Sequence, residues 1–375
     1  MIILMKILVT GTHFTTAVAV IEELKKQTDV EIVYVGRKTT REGDSSTSVE
    51  SRVLPQMGVK FIPIITGRLQ RALSVYTIPS LLKIPIGVLQ AFFILLREKP
   101  DVILSFGGYV AVPMVVAGWL LSIPIIIHEQ TLVSGLANTI CSFFADKIAI
   151  SFENNNNFNK GKTILTGNPL RKEILNYDKS DLSDSYKSIF TVAQKNDLPV
   201  ILITGGNQGS HAINKVAEDC LKNLLKIACV IHQTGDSKFQ DYERLSERQS
   251  DRYIVSKFIY QEMAYVLKNV DLSVSRAGIN TLSELAYLGT PALVIPVPYL
   301  YKDEQNKNAK YFERLGLVKT LSQKSLNSKS LLENIKFMIN DLDNLKNRAK
   351  NAKEIIIPDA AKRLALETLL LAKKM

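Results

Sequence analysis

Short runs of β-branched residues alternate with longer helical stretches along this chain, and the alternation limits the possible folds more than any other feature. In the first half, strands are predicted at residues 7–9, 30–35, 102–104, 125–127 and 147–150, with helical stretches such as residues 17–26 between them. A strand that continues through a helix into another strand forms a βαβ unit. The sequence therefore predicts a parallel sheet.

The same alternation starts again in the second half, with strands predicted at residues 199–203, 228–231, 272–275 and 292–295. Gly167, Asn168 and Pro169 lie between the two halves, where the fixed φ of proline and the freedom of glycine suit a hinge. We predict an α/β fold of two doubly wound, Rossmann-like domains, residues 1–167 and 168–354. The cleft between them is the expected ligand site.

Composition narrows the class of protein. The 375 residues are 46% hydrophobic and 22% charged, which excludes a disordered chain. The 47 Lys and Arg residues exceed the 36 Asp and Glu residues by 11, which favours anionic partners such as phosphates, nucleic acid or an acidic membrane face. Cys141, Cys220 and Cys229 form no Cys-x-x-Cys pair, which argues against a disulfide framework or zinc site and fits a reducing cytosol.

Two apolar stretches need an explanation. Residues 1–11 are predicted to form the first buried strand rather than a signal peptide, because Lys6 interrupts them and no small-residue cleavage site follows. Residues 110–127 approach the length of a membrane span but contain Pro113, Gly118 and Pro124. We predict a helix, a turn and a strand there, and only peripheral membrane contact.

Three glycine-rich turns are candidate anion sites, because each follows a predicted strand and opens a helix, whose N-terminus presents free N–H groups. Turn 1 is residues 9–13 (VTGTH), turn 2 is residues 204–210 (TGGNQGS), and turn 3 is residues 275–281 (SRAGINT). None is a complete G-x-G-x-x-G after the first strand, and none ends in the Gly-Lys-Ser/Thr of a P-loop, so neither a dinucleotide nor an ATP site is predicted. Each turn alone can equally serve only helix packing.

Carboxylate and amide side chains follow turn 3. Glu284 lies about one helical turn beyond it, where a carboxylate can accept hydrogen bonds from two ribose hydroxyls. Residues 303–309 (DEQNKNA) form a polar cluster whose amides can bind sugar hydroxyls or simply cap a helix.

Six short motifs together indicate a family. They are FGGYV at 106–110, HEQ at 128–130 with Gly135 and Asn138, TGNPLR at 166–171, GGNQG at 205–209, HQTG at 232–235 and SRAG at 275–278. In this order they resemble the MurG-type enzymes of glycosyltransferase family 28. Residues 357–360 (IPDA) and the helix after them also resemble the end of that family's chains, which crosses back onto the first domain, here as a helix at about 355–375.

The resemblance implies a GT-B type fold and a hexosyltransferase of peptidoglycan synthesis. Such an enzyme moves N-acetylglucosamine from UDP-N-acetylglucosamine to an undecaprenyl-pyrophosphoryl muramyl-pentapeptide, with inversion and without a metal or other cofactor. The C-terminal domain would hold the donor and the N-terminal domain the acceptor. The enzyme would act at the cytoplasmic face of the cell membrane as a peripheral protein, with no nucleic-acid partner.

The resemblance also assigns roles to residues. The uracil would be met by backbone near Ile259, the ribose by Glu284 and the sugar by Gln305. The diphosphate would be held by Asn207 and by the helix start made of Ile279, Asn280, Thr281, Leu282 and Ser283. Arg171 would help to close the cleft, and Thr10, Gly11, Thr12 and Thr131 would face the ligand from the acceptor domain.

His13 is the predicted general base, because an imidazole titrates near neutral pH and this one lies in turn 1, a strand-to-helix turn expected to face the cleft. His128, His211 and His232 are weaker candidates. The chain departs from the usual family pattern around the predicted base: Thr12 replaces a glycine, Thr16 a proline and Thr131 an asparagine, while Asn207 replaces a serine in the donor domain.

Residues 68–97 mix the cations Arg68, Arg71, Lys83 and Arg97 with many apolar side chains, as expected either of a surface on anionic lipid or of a core helix with a solvated face. Two other functions fit the same pattern. One is a UDP-N-acetylglucosamine 2-epimerase, which shares the two-domain design, and the other is a non-catalytic membrane-docking subunit that binds UDP-sugar.

Overall fold

In a computed structural model the chain forms two compact units, which we describe separately. Unit 1 comprises Met1–Arg171 and Ile357–Met375, and unit 2 comprises Lys172–Ile356. The structure describes residues 5–27, 29–39, 48–67, 77–153, 158–177, 182–206, 208–236 and 238–373, without the side chains of 77–82 and 84.

Unit 1 contains a seven-stranded parallel sheet in the order β3-β2-β1-β4-β5-β6-β7. Its strands are β1 (Met5–Thr10), β2 (Val30–Gly36), β3 (Lys60–Pro63), β4 (Val102–Ser105), β5 (Ile125–Glu129), β6 (Lys147–Ile150) and β7 (Thr163–Leu165). Its helices are α1 (Phe14–Leu24), α2 (Val49–Gln56), α3 (Thr77–Glu98), α4 (Ala111–Leu120), α5 (Leu136–Phe144) and the C-terminal α15 (Ala360–Ala372).

Unit 2 contains a six-stranded parallel sheet in the order β10-β9-β8-β11-β12-β13. Its strands are β8 (Val200–Thr204), β9 (Cys229–Gln233), β10 (Tyr253–Ser256), β11 (Leu272–Ser275), β12 (Ala292–Val294) and β13 (Val318–Thr320). Its helices are α6 (Lys172–Leu175), α7 (Asp184–Lys195), α8 (His211–Leu224), α9 (Asp241–Ser246), α10 (Met263–Asn269), α11 (Ile279–Leu288), α12 (Glu304–Arg314), α13 (Ser328–Ile339) and α14 (Leu342–Asn351).

The inner strands carry apolar side chains on both faces, which is why helices must cover both sides of each sheet. On β1, for example, Ile7 and Val9 belong to one core, and Leu8 belongs to the core on the opposite face. The predicted fold class, two parallel-sheet Rossmann-like domains, is confirmed. The helix, turn and strand predicted within residues 110–127 are confirmed as α4 and β5.

The first segment of unit 1 extends to Arg171, whereas the sequence placed the boundary at residue 167. Residues 166–170 are buried in unit 1, and a Cβ added at Gly167 would lie only 2.7 Å from the Cβ of Ile357. The chain re-enters unit 1 at Ile357, and α15 then packs against α1. The Gly-Asn-Pro segment is therefore part of the packing of unit 1.

Each sheet has one point where the strand order reverses direction. In unit 1 it lies between β1 and β4, and in unit 2 between β8 and β11. Connections leave these neighbouring strands toward opposite faces of the sheet, so a crevice opens beyond their carboxyl ends. Turn 1 follows β1, turn 2 follows β8, and turn 3 follows β11, so all three lie at reversal points.

Candidate functional site

In unit 1, turn 1 is held tightly against the chain that follows β4. The backbone N–H of Thr12 donates to the carbonyl of Gly107 at 3.0 Å, and the Tyr34 hydroxyl donates to the carbonyl of Gly11 at 2.8 Å. Gly11 has a φ of +140°, and a Cβ there would lie 2.8 Å from the carbonyl carbon of Phe106. This conformation and this close contact both require glycine.

The side chains of both threonines in turn 1 contact other parts of unit 1. The Thr10 hydroxyl is buried and donates to the carbonyl of Val35 at 2.9 Å. The side chain of Thr12 packs on Gly108, which has no room for a side chain of its own. The β-branched residue at position 12 is thus accommodated by a glycine in the neighbouring turn.

His13 lies at the start of α1 and is half-buried. Its Nδ1 is 2.7 Å from the side-chain Nε2 of Gln130, and Gln130 Oε1 accepts a hydrogen bond from the Thr16 hydroxyl at 2.9 Å. Burial lowers the pKa of His13 to about 4, so the imidazole is neutral at physiological pH.

The loop after β5 is organised by the buried carboxylate of Glu129. It accepts hydrogen bonds from the backbone N–H and hydroxyl of Thr131, at 3.0 and 2.7 Å, and from Gly135 N–H and Asn138 Nδ2, at 3.1 and 3.0 Å. Thr131 is buried, and its hydroxyl also lies 2.7 Å from the carbonyl of Val133. The structure therefore places Thr131 inside the loop's own hydrogen-bond network.

His128 and His232 occupy structural positions. His128 Nε2 lies 3.2 Å from both the carbonyl of Gly167 and the hydroxyl of Ser151, while His232 lies between Tyr253 and Asn214 at 3.0 and 3.1 Å. Both rings are buried, and burial lowers the pKa of each to about 4.

In unit 2, turns 2 and 3 together form a pocket of about 490 Å³. Its lining residues are Gly205, Gly206, Gln208, Gly209, Ser210, His211, Ala212, Arg276, Gly278, Thr281, Val297 and Gln305. The volume lies in the range usual for small-molecule sites. Asn207, the predicted diphosphate ligand on turn 2, lies outside the described residues.

Turn 2 is packed backbone to backbone against the chain that follows β9. Gly209 has a φ of +70°, and a Cβ there would overlap the carbonyl of Thr234. The Gln233 amide reaches across, donating to Thr204 Oγ1 and to the carbonyl of Gly206, each at 3.2 Å. Gln233 Oε1 also accepts the backbone N–H of Ile259 at 3.0 Å, so this N–H is already paired within the protein.

Turn 3 delivers the amino end of α11 to this pocket. Gly278 precedes the helix, and the first N–H groups of any helix have no partner within it. Arg276 fixes the turn by donating to the carbonyl of Ile295 at 3.0 Å, to Gln323 Oε1 at 2.7 Å and to the Ser210 hydroxyl at 2.7 Å. The last of these bonds joins turn 3 directly to turn 2.

The other predicted donor residues fall into two groups. Thr281 and Gln305 line the pocket, and Gln305 also accepts the backbone N–H of Val297 at 2.9 Å. Leu282, Ser283 and Glu284 are buried in α11, and the Ser283 hydroxyl donates to the carbonyl of Ile279 at 2.9 Å. Ile279 is also buried, whereas Asn280 and Arg171 are partly exposed.

Four polar residues of the pocket had been given no individual role as ligands from the sequence. They are Gln208, Ser210, His211 and Arg276. The SRAG and GGNQG motifs contain Arg276 and Gln208, Ser210 adjoins the second motif, and His211 follows Ser210, so closeness in sequence to a motif was the signal that could have indicated them. His211 Nδ1 is 2.8 Å from the buried carboxylate of Asp241, and its ring stacks on Phe239 at 3.9 Å between centroids, a pairing that no sequence spacing indicates.

Comparison with known proteins identifies the family. Residues 3–150 match the glycosyltransferase family 28 N-terminal domain, and residues 200–364 match the family 28 C-terminal domain. The chain belongs to glycosyltransferase family 28. The family match covers both reversal-point sites described above.

A full-length relative and two solved structures are similar to this family 28 chain. A Bacillus cytotoxicus protein named UDP-N-acetylglucosamine--N-acetylmuramyl-(pentapeptide) pyrophosphoryl-undecaprenol N-acetylglucosamine transferase is 33% identical over 360 residues, covering 95% of each chain. The crystal structure of Acinetobacter baumannii MurG is 25% identical with a TM-score of 0.74, covering 98% of this chain and 99% of that one. A Neisseria meningitidis UDP-GlcNAc 2-epimerase, 19% identical with a TM-score of 0.66 over 98% of this chain and 100% of that one, shares the fold.

Two features are absent from the described residues. No group of three or more His, Cys, Asp or Glu side chains in that part of the family 28 chain is placed to hold a metal ion. No helix found in the same ranges is both long and apolar enough to cross a membrane.

The buried histidines predict how stability depends on pH. An unfolded histidine takes up a proton near pH 6.5, whereas His232 stays neutral until about pH 4, so the unfolded state binds more protons between these values and stability falls as pH falls. We expect His232 to contribute a loss of about 1 kcal/mol of unfolding free energy between pH 7.5 and 5.5. Denaturant unfolding of unit 2 at the two pH values measures it.

The variant His232→Gln is the control, because an amide can hydrogen-bond in the same place without titrating. Its stability should depend less on pH in this range. The measurement is made on unit 2 because two effects oppose each other in unit 1. Burial raises the pKa of Glu129 there, which stabilises the folded state as pH falls, whereas burial of His128 destabilises it. An NMR titration in which the His232 ring protonates above pH 6 would contradict the prediction.

Proposed function

We propose that this chain transfers N-acetylglucosamine from UDP-N-acetylglucosamine to an undecaprenyl-pyrophosphoryl muramyl-pentapeptide, an inverting step of peptidoglycan synthesis. Full-length similarity to a transferase of that name supports the proposal. The observation that carries it is the pocket of unit 2, where the amino end of α11 and turn 2 converge at the reversal point of the sheet. Such a pocket suits the diphosphate of a nucleotide-sugar.

Each part of the UDP-N-acetylglucosamine donor is assigned to residues in or near this pocket, beginning with the diphosphate. The first N–H groups of α11 and the positive end of its dipole would bind the diphosphate, with Gly278 allowing close approach. The carbonyl of Ile259 would accept the uracil N3–H, and Glu284 would accept the ribose hydroxyls. Gln305 would contact the sugar, and Asn207 would add a hydrogen bond to the diphosphate.

The chemistry needs one group to take a proton and another to stabilise a leaving group. The acceptor hydroxyl oxygen forms a bond to the anomeric carbon while the bond from that carbon to the diphosphate oxygen breaks, and the electron pair leaves with UDP. His13, neutral at physiological pH, is assigned as the base that receives the hydroxyl proton. The amino end of α11 is assigned to stabilise the negative charge on UDP.

Attachment to the membrane is assigned to an apolar surface on unit 1. The helix α3 exposes Ile86, Leu89, Phe93 and Leu96, which share one helical face. It packs against α4, which exposes Trp119, and α4 packs against α5, which exposes Phe143. The cations Lys83 and Arg97 are on α3, while residues 68–76 of the predicted segment lie outside the described residues.

This surface suits peripheral binding at the cytoplasmic face of the membrane, where the lipid-linked acceptor would be found. Exposed aromatic and aliphatic side chains enter the lipid headgroup region, and nearby cations are attracted to anionic lipid.

The first prediction from the proposed function is the reaction itself. Incubated with labelled UDP-N-acetylglucosamine and the lipid-linked muramyl acceptor, the chain should move label to lipid, and it should do so equally well in EDTA, because a helix end and not a divalent ion stabilises UDP. His13→Ala should lower kcat by about 10²- to 10⁴-fold. Unchanged UDP binding by this variant is the control for folding.

Other outcomes of this assay would refute the proposal. An epimerase would release the manno-sugar, and a docking subunit would leave the donor unchanged. Loss of transfer in EDTA that Mg²⁺ restores would contradict the metal-independent assignment. A fall of less than about tenfold in the His13 variant would remove it as the base.

A second prediction tests where the diphosphate binds. Gly278 has a φ of −70°, and a Cβ added there would touch nothing within 4 Å, so Gly278→Ala should change unfolding free energy by less than about 0.5 kcal/mol. The methyl group would nevertheless occupy the space where the diphosphate approaches α11. We expect UDP affinity, measured by calorimetry, to fall at least about tenfold.

Gly161→Ala is the matched control, since a Cβ there would make only an ordinary contact with Asn159, at 3.4 Å, on the exposed surface of unit 1. UDP should bind this variant normally. Full UDP affinity in Gly278→Ala would place the diphosphate elsewhere.

A third prediction concerns the membrane. Phe93→Ser should weaken co-sedimentation with vesicles that contain about one-third phosphatidylglycerol, because the exposed ring is an anchor in the lipid headgroup region. Phe337→Ser in unit 2 is matched in exposure, at 58% against 68%, and should have no effect. Equal binding to neutral and anionic vesicles would count against an electrostatic contribution, and normal binding by Phe93→Ser would count against this surface.

A further inference from the structure

The hydrogen bonds of His13 carry an inference about how its proton is placed. Gln130 and Thr16 are both buried, and together with His13 they form a chain of side-chain contacts of 2.7 and 2.9 Å. The three residues lie at two elements, since His13 directly precedes α1, Thr16 is in the first turn of α1, and Gln130 directly follows β5. The sheet therefore fixes the positions of His13, Thr16 and Gln130 relative to one another.

In the arrangement observed, Gln130 donates its amide N–H to His13 Nδ1 and accepts from the Thr16 hydroxyl. An amide nitrogen can only donate, so Nδ1 must carry the lone pair. A neutral imidazole then has its hydrogen on Nε2. In this state Nδ1 is occupied by Gln130 and Nε2 has no lone pair, so neither nitrogen can accept a proton from a substrate hydroxyl.

A half-turn of the Gln130 side-chain amide reverses this. Solvent, which reaches the half-buried ring, takes the proton from Nε2 and returns one to Nδ1. Oε1 then accepts a hydrogen bond from Nδ1–H, the lone pair is on Nε2, and the amide N–H donates to the Thr16 oxygen. A threonine hydroxyl both donates and accepts, so the number of hydrogen bonds is the same in both arrangements. A valine at position 16 could not hydrogen-bond to the Gln130 amide in either arrangement.

We propose that Gln130 and Thr16 are positioning residues that switch His13 between a resting form, with the proton on Nε2, and a base-competent form, with the proton on Nδ1. The competent form takes the hydroxyl proton on Nε2, and the resulting imidazolium keeps its Nδ1–H bond to Gln130 Oε1. The step conserves protons, since the one received on Nε2 is the one lost by the hydroxyl. The inference rests on the proposed function only in making His13 the base.

Burial favours the neutral forms of the titratable groups around the His13 ring. His128 and Glu129 on β5 are the neighbouring titratable groups on that strand, and burial disfavours the charged form of each. Tyr34 on β2 donates to Gly11, and burial raises its pKa well above the physiological range. On α1 the group linked to His13 is the Thr16 hydroxyl, through Gln130. A neutral amide therefore controls the tautomer without adding a charge to this region.

NMR of protein with ¹⁵N-labelled histidine tests the switch without any substrate. At pH 7.5 the resting wild-type chain should show His13 protonated at Nε2, with the signal assigned by its loss in His13→Gln. In Gln130→Glu the carboxylate can only accept, so the proton should move to Nδ1. The His211 signals in the same spectra should stay unchanged and serve as the internal control.

Kinetics supply the second readout. The Gln130→Glu carboxylate stabilises the imidazolium, so the acid limb of the pH profile of kcat/KM should shift upward by one unit or more. Thr16→Val should lower kcat/KM by about two- to tenfold, and Thr16→Ser should restore it. Thr368→Val is the matched control, because Thr368 is equally buried and donates only to the carbonyl of Leu364 in α15.

The outcomes separate this inference from the proposed function. If transfer occurs but His13 keeps its proton on Nε2 in Gln130→Glu and the acid limb does not move, the switch is overturned and the transferase stands. If the wild-type chain transfers no sugar but the tautomer moves as expected, control of the His13 tautomer by Gln130 stands, and the proposed function with His13 as its base is overturned. Equal losses in Thr16→Val and Thr368→Val would also refute the switch, since they would reflect stability alone.

Discussion

Parallel strands need a helical cover on both faces of the sheet, and the rest of this structure depends on that constraint. Once helices occupy the faces, the carboxyl ends of the strands are the edge where main-chain N–H groups can meet a ligand. In unit 2, the pairing of Ile203 with Val274 sets β8 beside β11, so turn 2 and turn 3 leave from neighbouring strands. The pocket of unit 2 follows from this one pairing.

Buried and partly buried polar side chains then hold the turns in place. Glu129 gathers four donors from the loop after β5, Gln233 joins turn 2 to the chain at Ile259, and Arg276 joins turn 3 to turn 2. Buried groups of this kind are costly unless every bond is made, so they select one arrangement of the loops. Rigid turns allow backbone N–H groups to be aimed before the ligand arrives.

The sequence predicted the inner strands of both sheets and missed the outer ones. Strands β3, β7, β10 and β13 were not predicted, and all four are edge strands. An inner strand is buried on both faces and is therefore a continuous apolar run, whereas these edge strands are short and partly exposed. A continuous apolar run indicates burial on both faces, so this pattern is weaker in strands that are partly exposed.

Sequence alone determined the fold class, the position of the three glycine-rich turns and the family, because each is recorded in local spacing: apolar runs for strands, glycines for turns, short motifs for the family. Tertiary structure decided which side chains share a site. The bonds of His13 to Gln130, of Arg276 to Ser210 and of His211 to Asp241 join residues 30 to 117 positions apart. Strand order brings such residues together, and strand order depends on packing between elements that no local pattern encodes.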